Sequence, residues 1–189
     1  MAIIKAGQIE KGMFLFYKNE PYFVAEREFV NPGKGSAFSR LKLKNVRTGS
    51  VLKEVRKTQD QVEEIDVVDK DAQFLYSDGE TYNFMDSETY EQFGVPVKGF
   101  EDQGYFMMEG ETFRLVVWNE EVLDIKLPPK MVFVVTEAEE AVKGDTVQGT
   151  TKNCTIETGL QVKVPIFIKQ GEKIMVNTET KEYVERVNK

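Results

Sequence analysis

The sequence predicts an all-β protein made of three strand-rich blocks. Aromatic and β-branched residues recur in short runs, and turn-forming residues punctuate them every few positions. Within the runs, apolar and polar residues alternate with the period of a strand, as at Leu41 and Leu43 against Arg40, Lys42 and Lys44. Two breaks divide the runs. Around Gln59 to Glu64 the chain turns polar and its charge balance changes sign. At Pro128-Pro129 neither residue can continue a ladder, and each restricts its predecessor. The expected domains are therefore 1–64, 65–127 and 128–189.

Composition bounds the chemistry. At 189 residues, 41% apolar and 30% charged, the chain has the balance of a globular protein, not of a disordered one. There are no histidines and one cysteine, Cys154. That removes the commonest general base, the usual nucleophilic triads, most zinc sites and any internal disulfide. Carboxylate or lysine chemistry stays open, but no spacing arranges it, so neither metal nor cofactor is expected. No apolar run approaches the roughly 20 residues of a membrane span. The start, Met-Ala-Ile-Ile-Lys, lacks the apolar core of a signal peptide. A cytoplasmic, membrane-independent protein is the expectation, and a monomer.

In the first block, strands are expected at Ile3-Ile4, Met13 to Tyr17 and Tyr22 to Glu26, with a turn at Lys18 to Pro21. Further strands are expected at Arg40 to Val46 and Val51 to Lys57, around the turn Arg47 to Ser50. This density of short strands fits a small SH3-like barrel. Between Phe29 and Arg40 lies a distinctive stretch, Phe-Val-Asn-Pro-Gly-Lys-Gly-Ser-Ala-Phe-Ser-Arg. Pro32-Gly33 is expected to turn sharply, proline pre-setting φ and glycine accepting positive φ at the next position. Lys34 then stands at a hairpin tip with Gly33 and Gly35 on either side. Spacing alone also accommodates an ordinary exposed hairpin with a solvated lysine.

Charge is unevenly spread. The net charge is −7, but residues 1–60 carry twelve Lys and Arg against six Asp and Glu, while residues 61–189 carry thirteen against twenty-six. From Phe29 to Lys53 there are six bases (Lys34, Arg40, Lys42, Lys44, Arg47, Lys53) and no acid. Alternation places Arg40, Lys42 and Lys44 on one face of a strand. A basic face on an acidic body suits phosphate, although a solvated strand face has the same pattern.

The second block is expected to hold strands at Ile65 to Val68, Gln73 to Tyr76, Tyr82 to Met85, Thr112 to Trp118 and Val122 to Leu127. A short helical turn is expected over Asp86 to Phe93, stopped by Gly94 and Pro96, and helical spacing over Lys98 to Met108 is weakened by Gly99 and Gly104. Met107, Met108 and Trp118 read as core filling. The third block is expected to hold strands at Met131 to Thr136, Val162 to Lys169, Lys173 to Val176 and Glu182 to Val187, with a loop from Lys143 to Lys152. A faint repeat joins these blocks: Gly79-Glu80 leads to Asp86-Ser-Glu-Thr, and Gly171-Glu172 leads to Asn177-Thr-Glu-Thr. Two barrels of one OB-like kind would explain it, as would chance similarity between hairpins.

Two patterns together resemble the bacterial elongation factor P family, over essentially the whole chain. Pro-Gly-Lys-Gly-x-Ala-Phe stands at Pro32 to Phe38. The family's C-terminal signature runs from Lys152 through Gly159, Val162, Val164-Pro165 and Ile168 to Gly171, with Cys154 where the pattern has alanine. The third block separates the chain from the shorter, two-domain relative, initiation factor five-A. The resemblance implies an N-terminal SH3-like, KOW-type domain followed by two OB-fold domains, in an L-shaped, tRNA-like arrangement. It implies a non-enzymatic factor that binds the 70S ribosome beside peptidyl-tRNA, including prolyl-tRNA, and relieves stalling at consecutive prolines. By the same resemblance, Lys34 is a tip lysine extended by a lysyl-tRNA-synthetase-like enzyme. Gly144-Asp145-Thr146 is a loop near exit-site mRNA, and Tyr183 and Arg186 face the small subunit.

Other readings fare worse. A general single-strand binder would want basic and aromatic residues on its OB faces, yet residues 61–189 are strongly acidic. A P-loop is excluded because Gly35 follows Lys34 and a strand, not a helix, comes next. A Schiff-base lysine would need a desolvated pocket, which a glycine-flanked tip does not supply.

Overall fold

The computed structural model describes residues 1–139 and 151–187. Its compact units are Met1–Phe100 with Thr112–Lys126, and Glu101–Glu111 with Leu127–Lys189. The first unit contains two sheets and the second contains one.

The N-terminal sheet is built from β1 (Ala2–Lys5), β2 (Phe14–Tyr17), β3 (Glu20–Val30), β4 (Phe38–Asn45), β5 (Val51–Lys57) and β6 (Gln61–Glu64), in the order β1-β6-β2-β3-β4-β5. The polar stretch from Gln59 to Glu64 includes a strand, which ends at Glu64. β6 pairs with both β1 and β2, and its alternating exposed and half-buried residues need backbone pairing more than apolar bulk. β3 runs four residues beyond the expected Glu26, to Val30. The turn before it is tighter than expected: Lys18 and Asn19 both take positive φ, 51° and 63°, matching strand twist and leaving Pro21 inside the ladder opposite Phe16. Ile9, Leu15, Val24, Leu41 and Leu43 fill the core.

The second sheet comprises β7 (Val68–Ser77), β8 (Thr81–Asp86), β9 (Gln92–Pro96), β10 (Thr112–Trp118) and β11 (Glu121–Lys126), in the order β11-β10-β7-β8-β9. The expected strands over 65–68 and 73–76 are replaced by one long strand starting at Val68, and Ile65 is instead a buried link whose N–H donates to the Phe14 carbonyl at 2.9 Å. The helical turn expected over Asp86 to Phe93 is absent. The Asp86 side chain accepts the N–H groups of Glu88 and Thr89 at 2.8 and 3.0 Å, and this turn returns the chain as β9. Gly94 stops nothing; it sits within β9, where a Cβ would come 2.6 Å from Thr81 Cγ2. Of the helical spacing over 98–108, only α1 (Glu101–Gly104) forms.

The two sheets of this unit share an apolar seam. Phe14, Ile65, Val116 and Leu123 are buried together, with Phe16, Phe23, Val46, Val67 and Trp118 packed against them. The Phe16 and Trp118 rings lie 5.6 Å apart. At its edge Arg47 donates to Glu121 from Nε and Nη2 at 2.8 and 2.7 Å, and to Glu20 from Nη1 at 3.0 Å. Met107 is buried and Trp118 half-buried, as core filling requires.

The second unit's sheet comprises β12 (Lys130–Ala138), β13 (Thr151–Ile156), β14 (Gln161–Pro165), β15 (Lys173–Asn177) and β16 (Tyr183–Val187), in the order β14-β13-β12-β15-β16. β13 was not expected, since its Thr-Lys-Asn start reads as loop, yet Cys154 and Ile156 point into the core. β14 ends at Pro165 rather than reaching Lys169. Segment 101–111 packs on this sheet: Phe106 meets Phe133 at 6.0 Å between centroids, and Thr158 donates to the Tyr105 carbonyl at 2.7 Å.

Both five-stranded sheets have the same topology, with their first strand central, the second and third strands on one side, and the fourth and fifth on the other. The repeated turn does not mark that equivalence. Asn177 accepts the N–H groups of Glu179 and Thr180, both at 2.9 Å, and Lys181, like Tyr90, takes positive φ (59° and 61°). The two loops are alike in detail, but one joins the second and third strands of its sheet and the other the fourth and fifth. The sequence repeat is a recurring hairpin turn.

Two expectations follow. Gly94→Ala should destabilise the first unit by about 1–3 kcal/mol, and adding Thr81→Ala should restore most of the loss; no restoration in thermal unfolding would mean that the contact does not set the cost. The N–H groups of Thr89 and Glu88, with Lys70 nearby, hold the Asp86 carboxyl below the usual carboxylate range. Its stabilisation is therefore complete above the unfolded value of about 3.9 and lost as pH falls through the lower folded value. Asp86→Asn, which copies Asn177, should keep the turn and flatten that acid limb. Parallel acid losses in both proteins would refute the assignment.

Candidate functional site

Lys34 lies in the connection between the two longest-paired strands of the first sheet. The β3–β4 ladder continues as far as Val30 opposite Phe38, and residues 31–37 span its end. Pro32 is half-buried, whereas Gly33, Lys34 and Gly35 are exposed. The left-handed residue is Gly35, with φ 108°; Gly33, where the turn was expected to need it, is outside that region. Proline two residues before the lysine therefore sets the approach, and the glycine after it reverses the chain. No ion pair involving Lys34 occurs among the described residues, and it lines neither the cavity of 240 Å³ inside the first sheet nor the cavity of 670 Å³ beside Arg47. Exposed, and in no ion pair among the described residues, Lys34 can act by reach and charge.

The strands below present a face of mixed charge. Arg40, Lys42 and Lys44 do lie on one side of β4, while Ser39, Leu41, Leu43 and Asn45 are buried on the other. The acid-free run in sequence is met by acids across the ladder. Arg40 Nη1 lies 3.2 Å from Glu28 Oε2, and Lys42 Nζ lies 2.7 Å from Glu26 Oε1. The hydrogen bond and charge of Lys42 hold the Glu26 carboxyl below its usual range, with Lys11 and Lys53 adding to the effect. Lys44 is exposed and unpaired among the described residues. Arg47 is spent on Glu121 and Glu20.

In the second unit, Tyr183 and Arg186 share β16. Tyr183 packs against the apolar core, and Arg186 Nη1 donates to Glu172 at 3.2 Å while its guanidinium lies 5.7 Å from the Phe167 ring centre. Gly144, Asp145 and Thr146 lie outside the described residues. Among the described residues no cluster of three or more potential ligands could hold a metal, and no helix is long and apolar enough to cross a membrane.

The residues missed by sequence reasoning are Glu26, Glu28, Arg27 and Phe29. Alternation along β3 signals that Glu26 and Glu28 share a face, but their pairing with β4 depends on register, which a bulge between Val24 and Glu26 sets.

Comparison with known proteins agrees with this architecture. Residues 5–62 match the family model described as "Elongation factor P (EF-P) KOW-like domain", residues 67–125 the "Elongation factor P (EF-P) OB domain", and residues 131–186 "Elongation factor P, C-terminal". The chain is 50% identical over 186 residues to the elongation factor P of Treponema denticola, covering 98% of this chain and 100% of that one. It is 54% identical over 190 residues to that of Borrelia hermsii, covering 99% of both. Among solved structures, the "Eukaryotic translation initiation factor 5A from Methanococcus jannaschii" resembles it in fold, with a TM-score of 0.53 at 20% identity over 66% of this chain and 92% of that one. With its N-terminal KOW-like sheet, its OB domain and its C-terminal sheet of the same strand order, the chain belongs to the elongation factor P family of translation elongation factors.

Proposed function

We propose that the protein binds the 70S ribosome between the peptidyl-tRNA and exit sites and speeds peptide bond formation at consecutive prolines. The observation that carries this reading is Lys34, exposed at the end of a long antiparallel ladder and in no ion pair among the described residues. Its partners are peptidyl-tRNA, including prolyl-tRNA, and mRNA near the exit site. Proline reacts slowly because its ring fixes φ and restricts the residue before it. A long cationic side chain, held still among phosphates and ribose hydroxyls, accelerates transfer by positioning the tRNA end, so the ribosome remains the catalyst. A lysyl-tRNA-synthetase-like enzyme extends Lys34, and Pro32, Gly33 and Gly35 present it.

The basic face takes RNA phosphates on the same reading. Lys44 is available at once, and Arg40 and Lys42 exchange exposed carboxylate partners for phosphate at little cost, since such surface pairs contribute about 0–1 kcal/mol. Gly144-Asp145-Thr146 approaches the mRNA, and Tyr183 with Arg186 faces the small subunit. The domain extents are 1–64, 65–127 and 128–189.

Replacing Lys34 by Ala should change folding stability by less than about 0.5 kcal/mol and reduce synthesis through a polyproline stretch to the level without the factor. Full activity of that variant in a reconstituted translation assay would end the proposal. The two glycines should separate in the same assay: Gly35→Ala forces left-handed backbone on alanine, at about 1–3 kcal/mol of local strain, and should impair rescue. Gly33→Ala meets no atom within 4 Å and should be tolerated. Equal effects of the two would show that the bend is not what presents the lysine.

A further inference from the structure

Successive residue pairs at the end of the ladder place one aromatic ring on each side of the lysine hairpin. Phe29 pairs with Ser39 and Val30 with Phe38, so Phe29 and Phe38 project from opposite faces. Each ring carries a guanidinium: Arg27 lies 5.8 Å from the Phe29 centroid and Arg40 lies 5.6 Å from that of Phe38. The Phe29 stack is the more open and the better anchored. Phe29 is 53% exposed, an unusual state for a phenylalanine in a sheet, and Arg27 is held from behind by donation of its Nη2 to the Gly7 carbonyl at 2.8 Å. Arg40, by contrast, is tied to Glu28, and Phe38 is half-buried.

We infer that Phe29, backed by Arg27, is a stacking platform for one unpaired nucleobase of the RNA strand whose phosphates Lys34 approaches. An exposed ring with one cation fixed against it leaves its other surface for a flat π-partner, and base–aromatic stacking beside cations is how sequence-tolerant single-strand sites are built. Lys34 supplies the charge, in the same hairpin, for the adjoining backbone. A protein surface is the less favoured occupant, because a guanidinium against the ring and the polar Ser39 across from it are not the surroundings of an apolar patch. This inference rests on the proposed approach of Lys34 to the end of a tRNA, and it adds the base-recognising residue that this approach needs.

The test is an NMR titration of the full chain with the single-stranded RNA trinucleotide CCA, and with an abasic trinucleotide of the same length. CCA should perturb the amides of residues 27–30, and the abasic strand should not. Phe29→Leu, which keeps an apolar side chain at an exposed position, should weaken CCA binding by about tenfold, whereas Phe29→Trp should retain or tighten it. Lys34→Ala should leave the base-dependent shifts at Phe29 in place. The inference is overturned if Phe29→Leu binds as tightly as the parent, which would make the residue a general apolar surface. It is equally overturned if abasic RNA gives the same shifts, or if CCA leaves residues 27–30 undisturbed. Failure here leaves the loss of polyproline rescue in Lys34→Ala intact, and full rescue by Lys34→Ala would leave the titration result standing, so the two proposals fail separately.

Discussion

The β3–β4 ladder is the constraint on which the candidate site depends. It starts with Tyr22 opposite Asn45, takes up one bulge, and closes with Val30 opposite Phe38. Every pair ties residues 31–37 to a core in which Val24, Leu41 and Leu43 are almost fully excluded from solvent. A lysine on a loop of this length would otherwise sample many positions, and fixing it would cost conformational entropy when it met its target. The ladder meets part of that cost on folding. The seam behind it extends the effect, because Phe14, Phe16 and Phe23 sit on the same sheet and pack with Val116, Leu123 and Trp118 of the next one. Arg47 closes the edge of that seam with a bidentate pair to Glu121, a geometry guanidinium makes and ammonium cannot.

Much of this was legible in the sequence where a local rule acted alone. β10 runs from Thr112 to Trp118 as alternation and β-branching require, and β5 occupies Val51 to Lys57 for the same reason. The failures share a cause. β6 is a polar strand whose partners β1 and β2 are distant in sequence, and β13 is a polar strand held between its chain neighbours β12 and β14, so the residues of both carry little signal of their own. Residues 86–93 have helical composition, but Asp86 captures two backbone N–H groups and wins the competition against a helix. The repeat shows the opposite case. Two domains do share one topology, yet the similar residues at Asp86 and Asn177 specify a local turn used at different places in it.

The site was legible to the extent that it is local. The roles proposed for Pro32, Lys34 and Gly35 rest on their own backbone and exposure, and those properties follow from residue type, although the left-handed position fell at Gly35 rather than Gly33. The charge of the face below does not follow from residue type, because it depends on what register brings opposite. Counting along the chain gives six bases without an acid; counting across the ladder gives Arg40 with Glu28 and Lys42 with Glu26.

On the proposed function those acids make physical sense, because the protein has to release its target as well as bind it. A stem of unpaired cations would attract any polyanion, and its field would compete with that of the tip. Pairing Arg40 and Lys42 to carboxylates on β3 lowers the long-range potential of the stem while keeping the cations on the surface. The pairs are exposed, so water already screens them and a phosphate at the right place can substitute for the carboxylate with small loss. Among the described residues, positive charge then dominates at Lys44, opposite which the ladder places Phe23 and Val51, and at Lys34 beyond the ladder's end. The register of one hairpin thereby decides both where the lysine stands and how much of the surface behind it acts as a cation.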